Sequence, residues 1–336
     1  MKKSSLFKLA LAAGAVGAAG TAVGAVVAGR RWASADDPDA ATRLTIPDGT
    51  DVRVPTPDGG EIAATSAGTA DARGRTFVLV HGWTNDRRIW APVARILLDR
   101  GHLVVLYDQR GHGASRAGAD GMTIEAIGAD MAAVLEHVDA RDAVVAGHSM
   151  GGMAAQAFAI NHPEVLTERV AAVALVSTAC SDLGLPGPSR KLAPRVLGSY
   201  QINRFITHPR LGPVLMRGTL GKKATLTNLR AMQDTFAATD AAARAAFYRA
   251  FDAMDLSEGL ADVDVPVVVV SGTRDQLVAH KNSRRLTEII EGARFEAVRD
   301  AGHMLPLETP EVLADLLEHL ASRSKEPART LSAASR

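Results

Sequence analysis

The feature that most limits the fold of this chain is an alternation. Short, unbroken apolar runs are separated by stretches with helical periodicity. TFVLV at 76–80 and LVVLY at 103–107 have no polar face. A strand wetted on one side alternates apolar and polar residues, whereas one buried on both sides does not, as in parallel sheets covered by helices. Residues 143–146, 170–177 and 267–271 read the same way, and 294–298 completes the strands. Between them, residues 89–100 and 123–138 suit helices. The second puts Ile124, Ile127, Met131, Val134, Leu135 and Val138 on one stripe. Residues 286–290 and 312–320 suit two more. Strand, helix, strand, repeated, requires crossover connections, so the fold class is α/β with a mainly parallel sheet flanked by helices. Two further strands, 50–55 and 61–66, surround Pro57-Asp58-Gly59-Gly60, a hairpin signal.

The alternation fails once. From 182 to about 260 there is no convincing strand, only loop-like and helical sequence that includes the Ala-rich 239–254. We read this segment as a helical cap inserted over the carboxyl ends of the strands, where open α/β sheets bind ligands.

The chemistry-bearing motif is Gly147-His148-Ser149-Met150-Gly151, which joins a strand to a helix. In that setting G-x-S-x-G makes a tight, strained turn that lifts a serine hydroxyl above the sheet. Gly147 and Gly151 let strand and helix approach closely. The new helix aims its free N–H groups and positive end at the site, so the Met150 N–H is placed to hold a developing oxyanion. A serine hydroxyl is a weak nucleophile and needs a base. His303 lies between the last strand and the last helix, on the same carboxyl edge. The base needs a group to fix its tautomer. Asp275 ends the preceding strand, and Asp182 is the rival acid. His81, His112 and His148 fit less well. His81 is expected to brace loops, and the His148 ring is expected to point away from the reacting centre.

With His81-Gly82-Trp83, Asp108-Gln109-Arg110-Gly111-His112-Gly113-Ala114-Ser115, Gly272-Thr273-Arg274-Asp275 and Gly302-His303 added, residues 50–320 resemble the α/β-hydrolase superfamily. The likeness is to its capped esterase, lipase and haloperoxidase-like branch. The resemblance implies that the Trp83 backbone N–H is the second oxyanion donor and that its indole lines an acyl pocket. It also implies that 108–115 is a structural turn. A serine at the elbow, where haloalkane dehalogenases and epoxide hydrolases carry aspartate, speaks against those two reactions. The expected activity is hydrolysis of a carboxylic ester, apolar or lipid-like in its acyl part, through an acyl-enzyme on Ser149. The alternatives are amide, lactone or C–C hydrolysis or perhydrolysis on the same triad, or a ligand-binding module that retains the fold without catalysis.

Composition bounds the rest. The chain has 336 residues, 47% hydrophobic and 22% charged, which excludes a disordered protein. A formal net charge of +1 gives no field that argues for nucleic acid. The single cysteine, Cys180, forms no internal disulfide and no zinc cluster by itself, and it reads as a small buried hydrophobe. No metal or organic cofactor is expected, and no feature fixes an oligomeric state. Lys2, Lys3 and Lys8 precede an uncharged run at 9–29, closed by Arg30 and Arg31. The run is long enough to cross a ~30 Å hydrocarbon core as a helix. Residues 1–35 therefore read as a membrane anchor or as a signal peptide cleaved after Ala35, with the catalytic domain outside the cytoplasm, tethered or secreted. Residues 36–49 read as a linker, 50–321 as the hydrolase domain and 322–336 as a flexible polar tail.

Overall fold

The apolar runs become the middle of one eight-stranded sheet. The computed structural model describes Ala40, residues 43–69, 74–181, Leu183, and residues 187–222 and 224–323. Its strands are β1 (Thr50–Pro55), β2 (Glu61–Ala67), β3 (Thr76–Val80), β4 (Leu103–Tyr107), β5 (Ala143–His148), β6 (Val170–Val176), β7 (Val267–Gly272) and β8 (Arg294–Val298). Their order is β1-β2-β4-β3-β5-β6-β7-β8. β1 and β2 form the antiparallel hairpin and β2 joins β4 antiparallel. The other neighbours are parallel. Side chains alternate between two cores, which explains the unbroken apolar runs. Val78, Val80, Val105, Tyr107 and Val145 enter one core, while Phe77, Leu79, Val104, Leu106 and Val144 enter the other. Each such burial contributes ~1.5–3 kcal/mol.

Helices α1 (Ala91–Asp99), α2 (Ile124–His137), α3 (Met150–Asn161) and α4 (Pro163–Arg169) make the first crossovers. The sequence reading missed α4, although it carries Pro in its first turn, Glu164 near its start and Arg169 at its end. Between β6 and β7 the chain forms α5 (Gly187–Leu197), α6 (Gln201–Ile206), α7 (Gly212–Met216), α8 (Leu226–Ala238) and α9 (Ala241–Ala253). The start and end of this excursion are stitched together. Ser181 bridges Asp255, and Leu256 N donates to Cys180 O at 2.9 Å. Thr225 and Asp240 cap α8 and α9 through their side chains. Fully buried Arg244 binds the helices to one another. Its Nε donates to Leu197 O at 3.0 Å, and its Nη1 to Asn203 Oδ1 at 2.7 Å and Phe236 O at 3.0 Å. A cation thereby fills carbonyl acceptors at the C-terminal ends of α5 and α8.

After β7 come α10 (His280–Ile289), α11 (Leu305–Glu308) and α12 (Pro310–Arg323). α10 starts earlier than its apolar residues indicate because it buries only Ser283 and Leu286 and presents a polar face. Leu44 and Ile46, within the stretch read as a linker, pack against the core. The apolar run at 9–29, Asp182 and residues 324–336 lie outside the described residues. No helix among the described residues is long and apolar enough to cross a membrane.

Candidate active site

Ser149 follows the last residue of β5 and immediately precedes α3. Its backbone sits at φ 53°, ψ −114°, a strained conformation for a residue with a side chain. It occupies the N-cap position, yet its hydroxyl makes no capping bond, which leaves that hydroxyl available for chemistry. Close packing explains the flanking glycines. A Cβ at Gly151 would lie 2.3 Å from Val80 O, and one at Gly147 would lie 2.3 Å from Gly151 O. Thr178 Oγ1 donates to Ser149 O at 2.8 Å and Ser149 N donates to Val176 O at 2.8 Å, so β6 holds the turn from below.

The structure brings Asp275 and His303 together. His303 Nδ1 lies 2.8 Å from Asp275 Oδ2, with the two side chains 6% and 0% exposed. The other carboxylate oxygen, Oδ1, accepts from Leu277 N at 2.9 Å and Val278 N at 3.0 Å. A carboxylate oxygen accepts and cannot donate, so in this contact Nδ1 carries the proton and Nε2 keeps a lone pair.

The loop after β3 passes directly over the elbow. A Cβ on Gly82 would stand 3.0 Å from the Ser149 Cβ. Thr84 Oγ1 and Asn85 Nδ2 both donate to Trp83 O, at 2.7 and 3.0 Å. This fixes the peptide, while the Trp83 N–H makes no hydrogen bond with the described residues. The Met150 N–H, first in α3, is one of the donors that a helix start leaves without an intrahelical acceptor.

Three buried histidines build this frame, and burial keeps each neutral. His81 is pushed down to about 4, His112 to about 3 and His148 well below the ordinary imidazole range. His81 Nδ1–H donates to Gly82 O at 2.7 Å while its Nε2 accepts from Gln109 N at 2.9 Å. His112 Nδ1–H donates to Arg110 O at 3.1 Å and its Nε2 accepts from Thr84 N at 3.2 Å. His148 is closer to the base than its expected outward ring implied. Its Nε2–H donates to His303 O at 2.8 Å, and the two rings are 4.9 Å apart. Asp108, in the 108–115 turn, accepts from Arg87 N at 2.8 Å and Ala114 N at 2.9 Å, a loop-bracing role.

Ser149, His303 and Trp83 open on one cavity of about 140 Å³. Met153, Met216, Met232, Phe236 and Phe251 supply apolar wall, four of them from the helical excursion. Phe247, from the same excursion, packs on the His112 ring at 5.5 Å. No cluster able to hold a metal ion occurs among the described residues. Cys180 is buried, and burial pushes its thiol up, away from reactivity.

Residues 77–316 match the alpha/beta hydrolase family. A non-heme chloroperoxidase from Streptomyces lividans is 30% identical over 279 residues, covering 80% of this chain and 99% of that protein. A bifunctional esterase/perhydrolase from Acinetobacter calcoaceticus is 26% identical over 278 residues, covering 80% and 99%. An esterase from Exiguobacterium antarcticum superposes with a TM-score of 0.69 at 21% identity, covering 81% of this chain and 100% of that one, a likeness of fold. By sequence and by architecture, this chain belongs to the alpha/beta hydrolase family.

Proposed function

We propose that the protein is a serine hydrolase that cleaves carboxylic esters with small apolar acyl groups through an acyl-enzyme on Ser149. One observation carries this reading. An uncapped serine on a strained turn shares an apolar cavity with an imidazole whose far nitrogen is bonded to a fully buried carboxylate. His303 Nε2 takes the Ser149 proton as the oxygen attacks the ester carbonyl. The Met150 and Trp83 N–H groups receive the oxyanion, and the imidazolium is stabilised by Asp275. His303 then protonates the leaving alcohol and activates the water that releases the acid. No Asp, Glu, Lys or Arg side chain contributes to the cavity wall among the described residues. A dry engineered cavity of roughly 150 Å³ holds a benzene. A space of about 140 Å³ therefore suits a short acyl chain, and a long lipid chain would require the cap helices to move.

A second reading keeps the same acyl-enzyme and changes the acceptor, with hydrogen peroxide in place of water giving a peracid. The chloroperoxidase and esterase/perhydrolase relatives favour it. The test is a panel of nitrophenyl esters from two to twelve acyl carbons, assayed with and without peroxide. The proposal predicts turnover peaking at short chains. Absence of turnover for every ester, in folded protein, sinks it. Peracid formation that outpaces acid release selects the second reading.

A further inference from the structure

Resting on that reading of His303 as the base, we infer that Glu308 is a positioning residue that locks the base loop to the cap. Glu308 ends α11, five residues after His303, and its carboxylate faces backbone donors on both sides of the base. Gly302 N donates to Oε1 and Oε2 at 3.0 and 3.1 Å, and Met304 N to Oε1 at 3.1 Å. The third donor comes from the helical excursion, where Gly221 N reaches Oε2 at 2.6 Å. One carboxylate thus holds the N–H groups of Gly302 and Met304, on either side of His303, and that of Gly221 in the segment crossing above them.

The contact is reinforced on both flanks. His303 N donates to Thr219 O at 2.9 Å and Lys222 N to Asp300 O at 2.8 Å. Asn228 Nδ2, from α8, donates to Leu307 O at 3.1 Å. The two backbones are as close as backbones come. A Cβ on Gly221 would lie 2.2 Å from Asp300 O, and one on Gly302 would lie 2.3 Å from Gly221 N. Thr219 also lines the cavity beside His303, so the segment Glu308 holds is part of the substrate wall.

A buried carboxylate is costly unless satisfied, and charge-assisted bonds to peptide N–H groups are the strong kind. Asp275, across the base, and Arg217, in the excursion, interact with Glu308 electrostatically. The hydrogen bonds that its carboxylate accepts from Gly221, Gly302 and Met304 are all from backbone N–H groups, so its work is done on the backbone. The base is bonded to Asp275 through its ring, while Glu308 fixes the peptides on which that ring swings. Cap seating and base placement are therefore one event.

Two variants approach the clamp from opposite sides. Glu308→Gln keeps the volume but turns an N–H₂ toward backbone donors. Gly221→Ala forces the two backbones apart. Both should fold, lower kcat 10–100-fold and leave KM for a short ester within threefold, because Thr219 is one of many wall residues whereas the base is the single group that drifts. The low-field proton resonance of His303 Nδ1 should broaden in both. Losses in the double variant should fall well short of the product, since either change opens the same clamp. Glu308→Asp, which keeps the charge but withdraws it by a methylene, should fall between wild type and Glu308→Gln. If Glu308→Gln does not fold, the Gly221→Ala and Glu308→Asp comparisons decide. Folded variants with lowered melting temperature but unchanged kcat, or fully multiplicative losses, overturn the inference. Ser149→Ala and Asp275→Asn run alongside. Activity surviving in those refutes the site itself, whereas activity lost there but kept in Glu308→Gln refutes only the clamp.

Discussion

Replacing Asp275 by asparagine changes one atom and should remove the base. The carboxylate has two tasks: Oδ1 accepts from the Leu277 and Val278 N–H groups, and Oδ2 accepts from His303 Nδ1. Asparagine has a single oxygen. Pointing it at the two backbone donors satisfies both and turns its N–H₂ toward His303. The imidazole can then bond only by presenting an unprotonated Nδ1, which puts its proton on Nε2, facing Ser149. That tautomer cannot accept the serine proton. The opposite flip keeps the imidazole correct but sets N–H₂ against two N–H groups at a fully buried position, at a cost of ~1–3 kcal/mol for each unpaired donor. The first arrangement wins. The expected loss in kcat is about 10⁴, or roughly 5 kcal/mol of transition-state stabilisation, with KM nearly unchanged. Steady-state hydrolysis of a short nitrophenyl ester measures it, and a thermal melt checks the fold. A loss under tenfold in folded protein would refute the tautomer argument and with it the role given to Asp275.

Phe236→Ala or Phe251→Ala should enlarge the cavity and move ester preference toward longer chains, while Phe247→Ala should not, because its ring lies against His112. A uniform loss across chain lengths in folded Phe236→Ala would contradict this. Acid should weaken the frame. His81 is neutral down to about 4 when folded and protonates near 6.5 when unfolded, so its contribution is complete above about pH 6.5 and falls as pH drops toward 4. The loss is about 3 kcal/mol over that window, and His81→Asn should show a shallower decline of denaturant midpoint with acidification. Deleting residues 1–35 should leave esterase activity intact, since the described machinery begins beyond them. Cell fractionation of the full chain then separates an anchor, intact in the membrane pellet, from a signal peptide, absent from an exported product.

Much of this was legible because two simple codes carry it. Parallel strands buried on both faces spell themselves as runs such as Phe77–Val80. The elbow spells itself as glycines around Ser149, because backbones meet there and no side chain fits. Chain order alone placed Asp275 and His303 on one sheet edge. What escaped the reading depends on contacts between distant segments. Glu308 looks like any acidic residue near a helix start, and only the fold brings Gly221 N to it. His148 reads as the filler of a motif until its Nε2–H is found on the His303 carbonyl. Nothing in the Ala-rich sequence around Arg244 marks it as buried, and its burial appears only when α5, α6 and α8 present oxygen atoms to it. The first half of α10 hid because its polar face dominates its sequence.

The central claim, that Ser149 is the nucleophile of a working site, is tested most directly by covalent capture. The full-length protein is treated with a fluorophosphonate and the adduct is mapped by peptide mass spectrometry. The account predicts a single adduct on the peptide containing Ser149, prevented by Ser149→Ala and slowed by orders of magnitude in Asp275→Asn. Equal labelling of wild type and Ser149→Ala, with the adduct on another residue, would contradict it.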